Sequence, residues 1–340
     1  MARIVLGIGC SHTPQMHTPA DQWDIRAKRD SEDGLPFWYH GERLMFAELL
    51  EKRRHLDLES QISLAEREAR LQKACAALDQ LSKLYRDIRP DVTLIFGNDQ
   101  AEIFIDEPRH AFTIMGAEEF ENRPRTDDQI KRLPPGIALA DRGHLPDECV
   151  RLPGHPALAR HIYDVLADSP SDVAYAPQQI RPDPGRASTS GMPHAYGFIY
   201  KQVMRDAVTP HVPVDTNTLY PPNQPTTQEC FAFGQKVGEA IADWEPDARV
   251  CIIASGGLSH FVVDEEFDRD ILAAMTTNEF ERLFEYHEGY YQAGASEIKS
   301  WIAAGGAMTG NALKGRVVDY QALYRTPAGT GSSAAFAAWT

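Results

Sequence analysis

Short, continuous apolar runs alternate along this chain with longer stretches in which apolar residues recur every three to four positions. Ile4–Ile8, Val92–Phe96, Val173–Tyr175, Val212–Val214 and Val250–Ala254 have the unbroken apolar character of strands covered on both faces. From about Arg67 to Ile88, Leu71, Ala74, Cys75, Leu78, Leu81, Tyr85 and Ile88 fall on one helical stripe, and Arg89-Pro90 stops it. His155–Leu166, Gln228–Trp244 and Ser296–Ala304 repeat the helical pattern. Strands alternating with helices predict an α/β fold, a central mixed sheet flanked by helices.

Two stretches break the pattern. Thr18–Trp38 is polar and mixed, and reads as a loop reaching over a site. Glu119–Pro153 carries Pro124, Pro134, Pro135 and Pro146 among many charges, and reads as a long excursion without a core of its own. Neither has linker composition, and there is no internal repeat. The expectation is one domain over residues 1–340 with insertions at about 18–70 and 119–153.

Composition narrows the choice of partner and compartment. A hydrophobic share of 43% and a charged share of 24% are ordinary globular values, so the chain can bury a large core. A formal charge of −15 argues against nucleic acid or an anionic membrane surface as partner. No apolar run approaches the roughly 20 residues of a membrane span, and no signal peptide is visible. The 5 cysteines are odd in number and widely spaced, without a Cys-x-x-Cys pair. That argues against a disulfide framework or a thiolate zinc site and points to the cytoplasm.

The candidate chemistry sits where strands end. His12 follows the first strand in Gly9-Cys10-Ser11-His12-Thr13-Pro14, where a proline-locked turn would fix a ligand ring; a turn histidine bonded to backbone fits equally well. Gly256-Gly257-Leu258-Ser259-His260 follows the Val250–Ala254 strand, placing an imidazole where α/β proteins keep their chemistry. Glu266 lies six residues on, but Asp264-Glu265-Glu266 reads as the acidic start of a helix. Glu297 is a rival carboxylate at the start of a helix of small residues that can approach other backbone closely; a helix-terminal charge explains it too. Asn98-Asp99-Gln100 ends another strand, and His194, in Gly191-Met-Pro-His194, precedes a helical pattern and suits either proton transfer or no role. His155 and His161, six apart, share no helical face and read as structural. His17, His40, His110, His144, His211 and His287 have no supporting context.

Together these residues resemble a known family. Gly7 to Pro14, Asn98-Asp99, Gly256 to His260, and Ser296-Glu297 followed by Trp301 occur in the order found in the class III extradiol ring-cleaving dioxygenases. That family includes the catalytic β subunit of protocatechuate 4,5-dioxygenase and the gallate and 3-O-methylgallate dioxygenases. Gly154-His155-Pro156, Tyr220-Pro221-Pro222 and Cys230-Phe-Ala-Phe-Gly234 extend the resemblance over nearly the whole chain.

The resemblance, and not the composition or spacing, implies an activity: cleavage of a catechol- or gallate-type aromatic acid by O2 with iron(II), Fe2+, as cofactor. By the same resemblance the first iron-binding histidine falls on His12 and the carboxylate ligand on Glu297 rather than Glu266. His260 falls on the proton-transfer histidine, and His194 on a second pocket histidine that would support the substrate hydroxyl or bound oxygen. The family's second iron ligand is a histidine directly after Asn-Asp, and here that position holds Gln100. An amide carbonyl is a harder, weaker donor than imidazole for iron(II). Three explanations stand open: Gln100 is itself the ligand, His55 or Glu102 fills the place, or iron chemistry has been lost. The last would leave either a metal enzyme of different reaction on the same scaffold or a non-catalytic interaction protein. A small aromatic diol and O2 are the implied partners, a homo-oligomer is implied because the family often forms one, and neither nucleic acid nor membrane is expected.

Overall fold

Nine strands form one mixed sheet in the computed structural model, which describes residues 1–105, 109–167, 169–183, 185–205 and 207–340. They are β1 (Arg3–Cys10), β2 (Val92–Gly97), β3 (Phe112–Met115), β4 (Val173–Ala176), β5 (His211–Thr216), β6 (Arg249–Ser255), β7 (His260–Val262), β8 (Gly315–Tyr324) and β9 (Thr330–Trp339). Their order across the sheet is β7-β9-β1-β6-β2-β5-β3-β4, with β8 pairing on β9. β1, β6, β2 and β5 run parallel, whereas β9 is antiparallel to β1, β7 and β8.

Alternation sorts the strand residues onto two cores. In β6, Val250, Ile252 and Ala254 join the cluster formed with α2 (Pro156–Leu166), α3 (Thr227–Asp243), α4 (Glu265–Thr277) and α5 (Ile298–Met308). Cys251 and Ile253 point the other way, onto α1 (Leu64–Ile88) and the segment Ile199–Met204. With both faces covered, the central strands need apolar residues at every position, and this is why they stand out in the sequence. The predicted central mixed sheet flanked by helices is the observed architecture.

Helix ends obey local chemistry. The Ser63 side chain accepts from the Glu66 amide to start α1, and Arg89 ends it in a left-handed conformation at φ 51°. His155 caps α2 by accepting from the Leu158 amide, and His161 bonds the Ala240 carbonyl, so both are structural as expected. A side chain at Gly234 of α3 would collide with the Ala303 carbonyl of α5, so these two helices cross in close backbone contact.

β3, β7, β8 and β9 were not among the expected strands. β9 reads Thr-Gly-Ser-Ser-Ala-Ala-Phe-Ala-Ala-Trp and is buried at all ten positions. Its small residues fit a crowded middle strand yet carry none of the β-branched enrichment that marks a strand in sequence. The 119–153 excursion is also less bare than expected. Glu119–Asn122 pairs with Val150–Pro153, and Phe120 is fully buried in the core on the α1 side.

Candidate functional site

Three adjacent parallel strands deliver the site. β1, β6 and β2 are neighbours, so the loops at their carboxyl ends meet over the same sheet edge, where open α/β sheets bind ligands. They carry His12, Gly256–His260 and Asn98–Gln100 respectively. Glu297 arrives from the opposite direction, as the last residue of a 3-10 turn, Ala293–Glu297, leading into α5. Four residues later the Trp301 indole donates to the Gly256 carbonyl at 2.8 Å, which ties α5 to the β6 loop.

The Glu297 carboxylate is fully buried, and a buried charge is costly unless it is paired. The Gly257 amide donates to Oε2 at 2.6 Å; the side-chain amides of Gln100 and Asn98 donate to Oε1 at 2.6 and 3.3 Å. Gly257 is required here, because a Cβ would stand 2.5 Å from His260 Nδ1 and 3.3 Å from Glu297 Oε2. Burial alone would raise the Glu297 pKa, yet the facing imidazoles of His12 and His260 hold it well below the usual carboxylate range.

The hydrogen bonds decide which nitrogen of His12 is free. Ser255 Oγ has one proton and gives it to the Ala195 carbonyl at 2.6 Å. It must therefore accept the 3.0 Å bond from His12 Nδ1, so in the neutral ring Nε2 carries the lone pair. That lone pair is buried, has no hydrogen-bond partner, and lies 3.0 Å from Glu297 Oε2. A cation between them, either a proton on Nε2 or a metal ion, satisfies both groups. The 3.0 Å separation suits a shared proton as well as a shared metal ion. Burial is also the main force lowering the His12 pKa, which favours the neutral, ligating form.

His194 completes a group with them: one donor atom each from His12, His194 and Glu297 all lie within 4.8 Å of one another. The rings of His12 and His194 meet edge to face, centroids 4.6 Å apart. His194 Nδ1 bonds Glu102 Oε2 at 2.6 Å, and its backbone amide donates to the same carboxylate. A carboxylate behind an imidazole is the usual support of a metal-bound histidine. Burial would lower the His194 pKa, but Glu102 outweighs it and holds the ring up to about 9.

His260 closes the group on the β9 side. Its Nδ1 lies 2.9 Å from the Leu258 carbonyl and donates to it, so in the neutral ring the acceptor nitrogen is Nε2, 3.7 Å from Glu297 Oε1. Asp99 faces away from this cluster. Its carboxylate accepts the amides of Glu102, Ile103 and Phe104, a turn that leaves its neighbours Asn98 and Gln100 directed at Glu297.

Four candidates from the sequence thus converge: His12, His194, His260 and Glu297, with Gln100 bonded to the last. Two do not. Glu266 is exposed on the first turn of α4, as the acidic helix start implied. His55 is exposed on a 3-10 turn, Arg54–Leu56, and does not line the cavity. Glu102 reaches the site, but as the partner of His194.

Over this cluster lies a cavity of about 390 Å3, within the range of small-molecule sites. The 119–153 excursion walls it with Leu133, Pro134, Ile137 and His144, and the segment 18–38 contributes Arg26, so both polar stretches border the site. His144 was unsupported in the sequence; here burial lowers its pKa to about 3 and its ring centroid lies 6.0 Å from that of His194. No local signal marked it, because only the fold brings that loop over the strand ends.

The sequence profile of the family described as "Catalytic LigB subunit of aromatic ring-opening dioxygenase" matches residues 60–336. Gallate dioxygenase of Pseudomonas putida is 27% identical over 192 residues, 51% of this chain and 51% of that protein, so the chain spans about half the length of the relative it matches. Among solved structures, an uncharacterized protein of Escherichia coli K12 aligns with a TM-score of 0.44 at 16% identity, covering 76% of this chain and 91% of that one.

Proposed function

This chain belongs to the LigB family of catalytic subunits of aromatic ring-opening dioxygenases, and from that premise we propose that it is an iron(II)-dependent extradiol dioxygenase of catechol- or gallate-type aromatic acids. The observation that carries the proposal is His12 Nε2, oriented by the Ser255 bond to Nδ1, facing the buried Glu297 carboxylate at 3.0 Å with His194 in reach of both. His12 and Glu297 are two of the iron donors. The resemblance put Gln100 at the second ligand position, with His55 or Glu102 as substitutes. Gln100 turns its amide N–H to Glu297, and we assign the third donor to His194, which metal binding must relieve of the proton that Glu102 helps it hold. Gln100 then acts as a positioning residue for the carboxylate.

Iron(II), when bound, supplies Lewis acidity toward a vicinal diol and the redox chemistry that dioxygen needs. The chain supplies orientation and proton transfer. His260, in its neutral form, presents the Nε2 lone pair toward the donor cluster and takes a hydroxyl proton of the diol; it later returns a proton as the ring opens. The apolar wall of Leu133, Pro134, Ile137 and Phe198 excludes water and packs the aromatic ring. Both atoms of O2 enter the product as the ring bond beside the diol breaks.

Anaerobic loading with iron(II) followed by oxygen-electrode screening of catechols tests this. Stoichiometric iron with oxygen uptake and a ring-opened product is the expected result. Iron-loaded protein that consumes no oxygen with any catechol overturns the dioxygenase reading and leaves a metal enzyme of another reaction. Protein that takes up no metal leaves a binding protein.

A further inference from the structure

Three guanidinium groups border the same cavity: Arg125 is paired with Asp141 at 3.0 Å, and Arg26 and Arg325 are the other two. Arg325 lies in the turn between β8 and β9, and its side chain is 2% exposed. Its Nε bonds Asp30 Oδ2 and its Nη1 bonds Gln15 Oε1, both at 2.9 Å. Its Nη2 is buried and has no hydrogen-bond partner. Arg26, on the helix Asp24–Glu32, also lines the cavity. Among the described residues its guanidinium makes no hydrogen bond and no ion pair within 4 Å.

The local charge does not balance. Asp30 is the carboxylate acting on both cations, and it already accepts from Arg325 and from the Thr330 hydroxyl. Arg29, on the same helix, is paired with Asp33 at 2.7 Å. That leaves two guanidinium groups against one carboxylate, a surplus of one positive charge in a chain whose net charge is −15. Burial, and then the adjacent Arg325, push Arg26 down to about 10, the direction expected of a cation short of counter-charge.

The positions are held rigidly. Gln15 Oε1 accepts from both Arg325 Nη1 and Ser332 Oγ, and Gln15 Nε2 donates to the Leu323 carbonyl at 3.1 Å. Ser332 also bonds Thr13, the residue after His12. One hydrogen-bonded wall therefore runs from the donor cluster to Arg325. An unpaired Nη2 at the end of such a wall is a preorganised donor for an anion.

We propose that Arg26 and Arg325 form the anion-binding end of the cavity and take the carboxylate of an aromatic acid whose ring hydroxyls face His12 and Glu297. The placement of the hydroxyls rests on the proposed function; the carboxylate site itself does not. A neutral catechol leaves the surplus positive charge uncompensated, so the pair selects for acids.

4-Hydroxybenzoate is the probe, because it carries the carboxylate but no vicinal diol and so binds without turnover. Its methyl ester is the neutral control, and calorimetric titration of the purified protein reads both. The acid is expected to bind more tightly than the ester, and Arg26→Leu to weaken the acid by roughly ten- to a hundredfold while leaving the ester unchanged. Since Arg26 makes no hydrogen bond and the repulsion of Arg325 outweighs the attraction of Asp30, the melting temperature of the unliganded variant should hold or rise. Arg325→Lys, which keeps a charge toward Asp30, should lose acid affinity without losing the fold. Equal affinity of wild-type protein for acid and ester overturns the inference, as does wild-type acid binding in Arg26→Leu. A melting temperature several degrees lower in that variant also overturns it, by making Arg26 a packing residue. If acid binding behaves as expected but no catechol is oxidised, the dioxygenase reading fails and this one stands. If catechol is oxidised but acids gain nothing from Arg26, the reverse holds.

Discussion

Replacing Ser255 with alanine tests the logic of the donor cluster at its least obvious point, since Ser255 touches no ligand. The hydroxyl accepts from His12 Nδ1 at 3.0 Å and donates to the Ala195 carbonyl at 2.6 Å, and both partners are buried. Ser255→Ala orphans one donor and one acceptor, each worth about 1–3 kcal/mol when left unsatisfied in the interior. Metal-free stability is thus expected to fall by about 2–4 kcal/mol, read as a lower urea midpoint with unchanged slope. The second effect is the diagnostic one. Without the serine, nothing holds the proton on Nδ1, so the ring can rotate or adopt the other tautomer and withdraw the Nε2 lone pair. Loss of such a supporting bond typically costs roughly 10- to 100-fold in metal affinity. Anaerobic competition against a chelator of known affinity measures it, on protein shown to be folded by its near-ultraviolet circular dichroism. A Ser255→Ala protein that is less stable yet binds metal as tightly as wild type refutes the reasoning, because Ser255 would then support the fold and not the lone pair.

Other consequences are as open to measurement. His17 and His211 are held neutral by burial, each with its pKa lowered to about 4; the unfolded chain takes up their protons first as pH falls, so their contribution is complete above about pH 6.5 and is lost as pH drops toward 4. Each is worth about 2 kcal/mol at pH 5. Because buried Asp268, raised to about 6, acts in the opposite sense, the comparison to make is between wild type and His211→Gln, whose loss of stability from pH 7 to pH 5 should be smaller by that amount. Gly257→Ala forces a methyl group against His260 Nδ1 at 2.5 Å, so it should cost about 1–3 kcal/mol in urea unfolding and cut oxygen uptake more than it cuts substrate affinity. Gln100→His restores an imidazole beside Glu297 and should tighten iron(II) binding in the chelator assay; weaker binding would mean that the amide bond to Glu297 matters more than an added nitrogen donor.

Much of this site was legible in the chain because strands and their carboxyl ends are local properties. The unbroken apolar runs of β1, β2 and β6 announce buried parallel strands, and the polar residues immediately after them, His12, Asn98-Asp99-Gln100 and His260, are carried wherever those strands go. Glu297 was marked only by the family resemblance, through its place four residues before Trp301; its local pattern read as a helix-terminal charge. The acidic run at Glu266 is the helix start that its composition implies.

Tertiary structure decided what these side chains do. Whether His12 offers a lone pair depends on Ser255 and on the Ala195 carbonyl, which lie far from it in sequence. That the Gln100 amide turns its N–H toward Glu297 is set by a carboxylate 197 residues away. His144 and Arg26 come from two polar stretches whose composition said only that they were irregular, and Arg325 from a turn with no motif at all. Hydrophobic periodicity reports which positions are buried and in what element, because burial repeats with the geometry of the backbone. It carries no information about which buried polar atom meets which, since that pairing is made only when distant segments close on one another. The sequence therefore determined the parallel centre of the sheet, its strand ends and most of the residues brought there, while the bonding of His12 and Gln100 and the unbalanced charge of Arg26 and Arg325 arose only on folding.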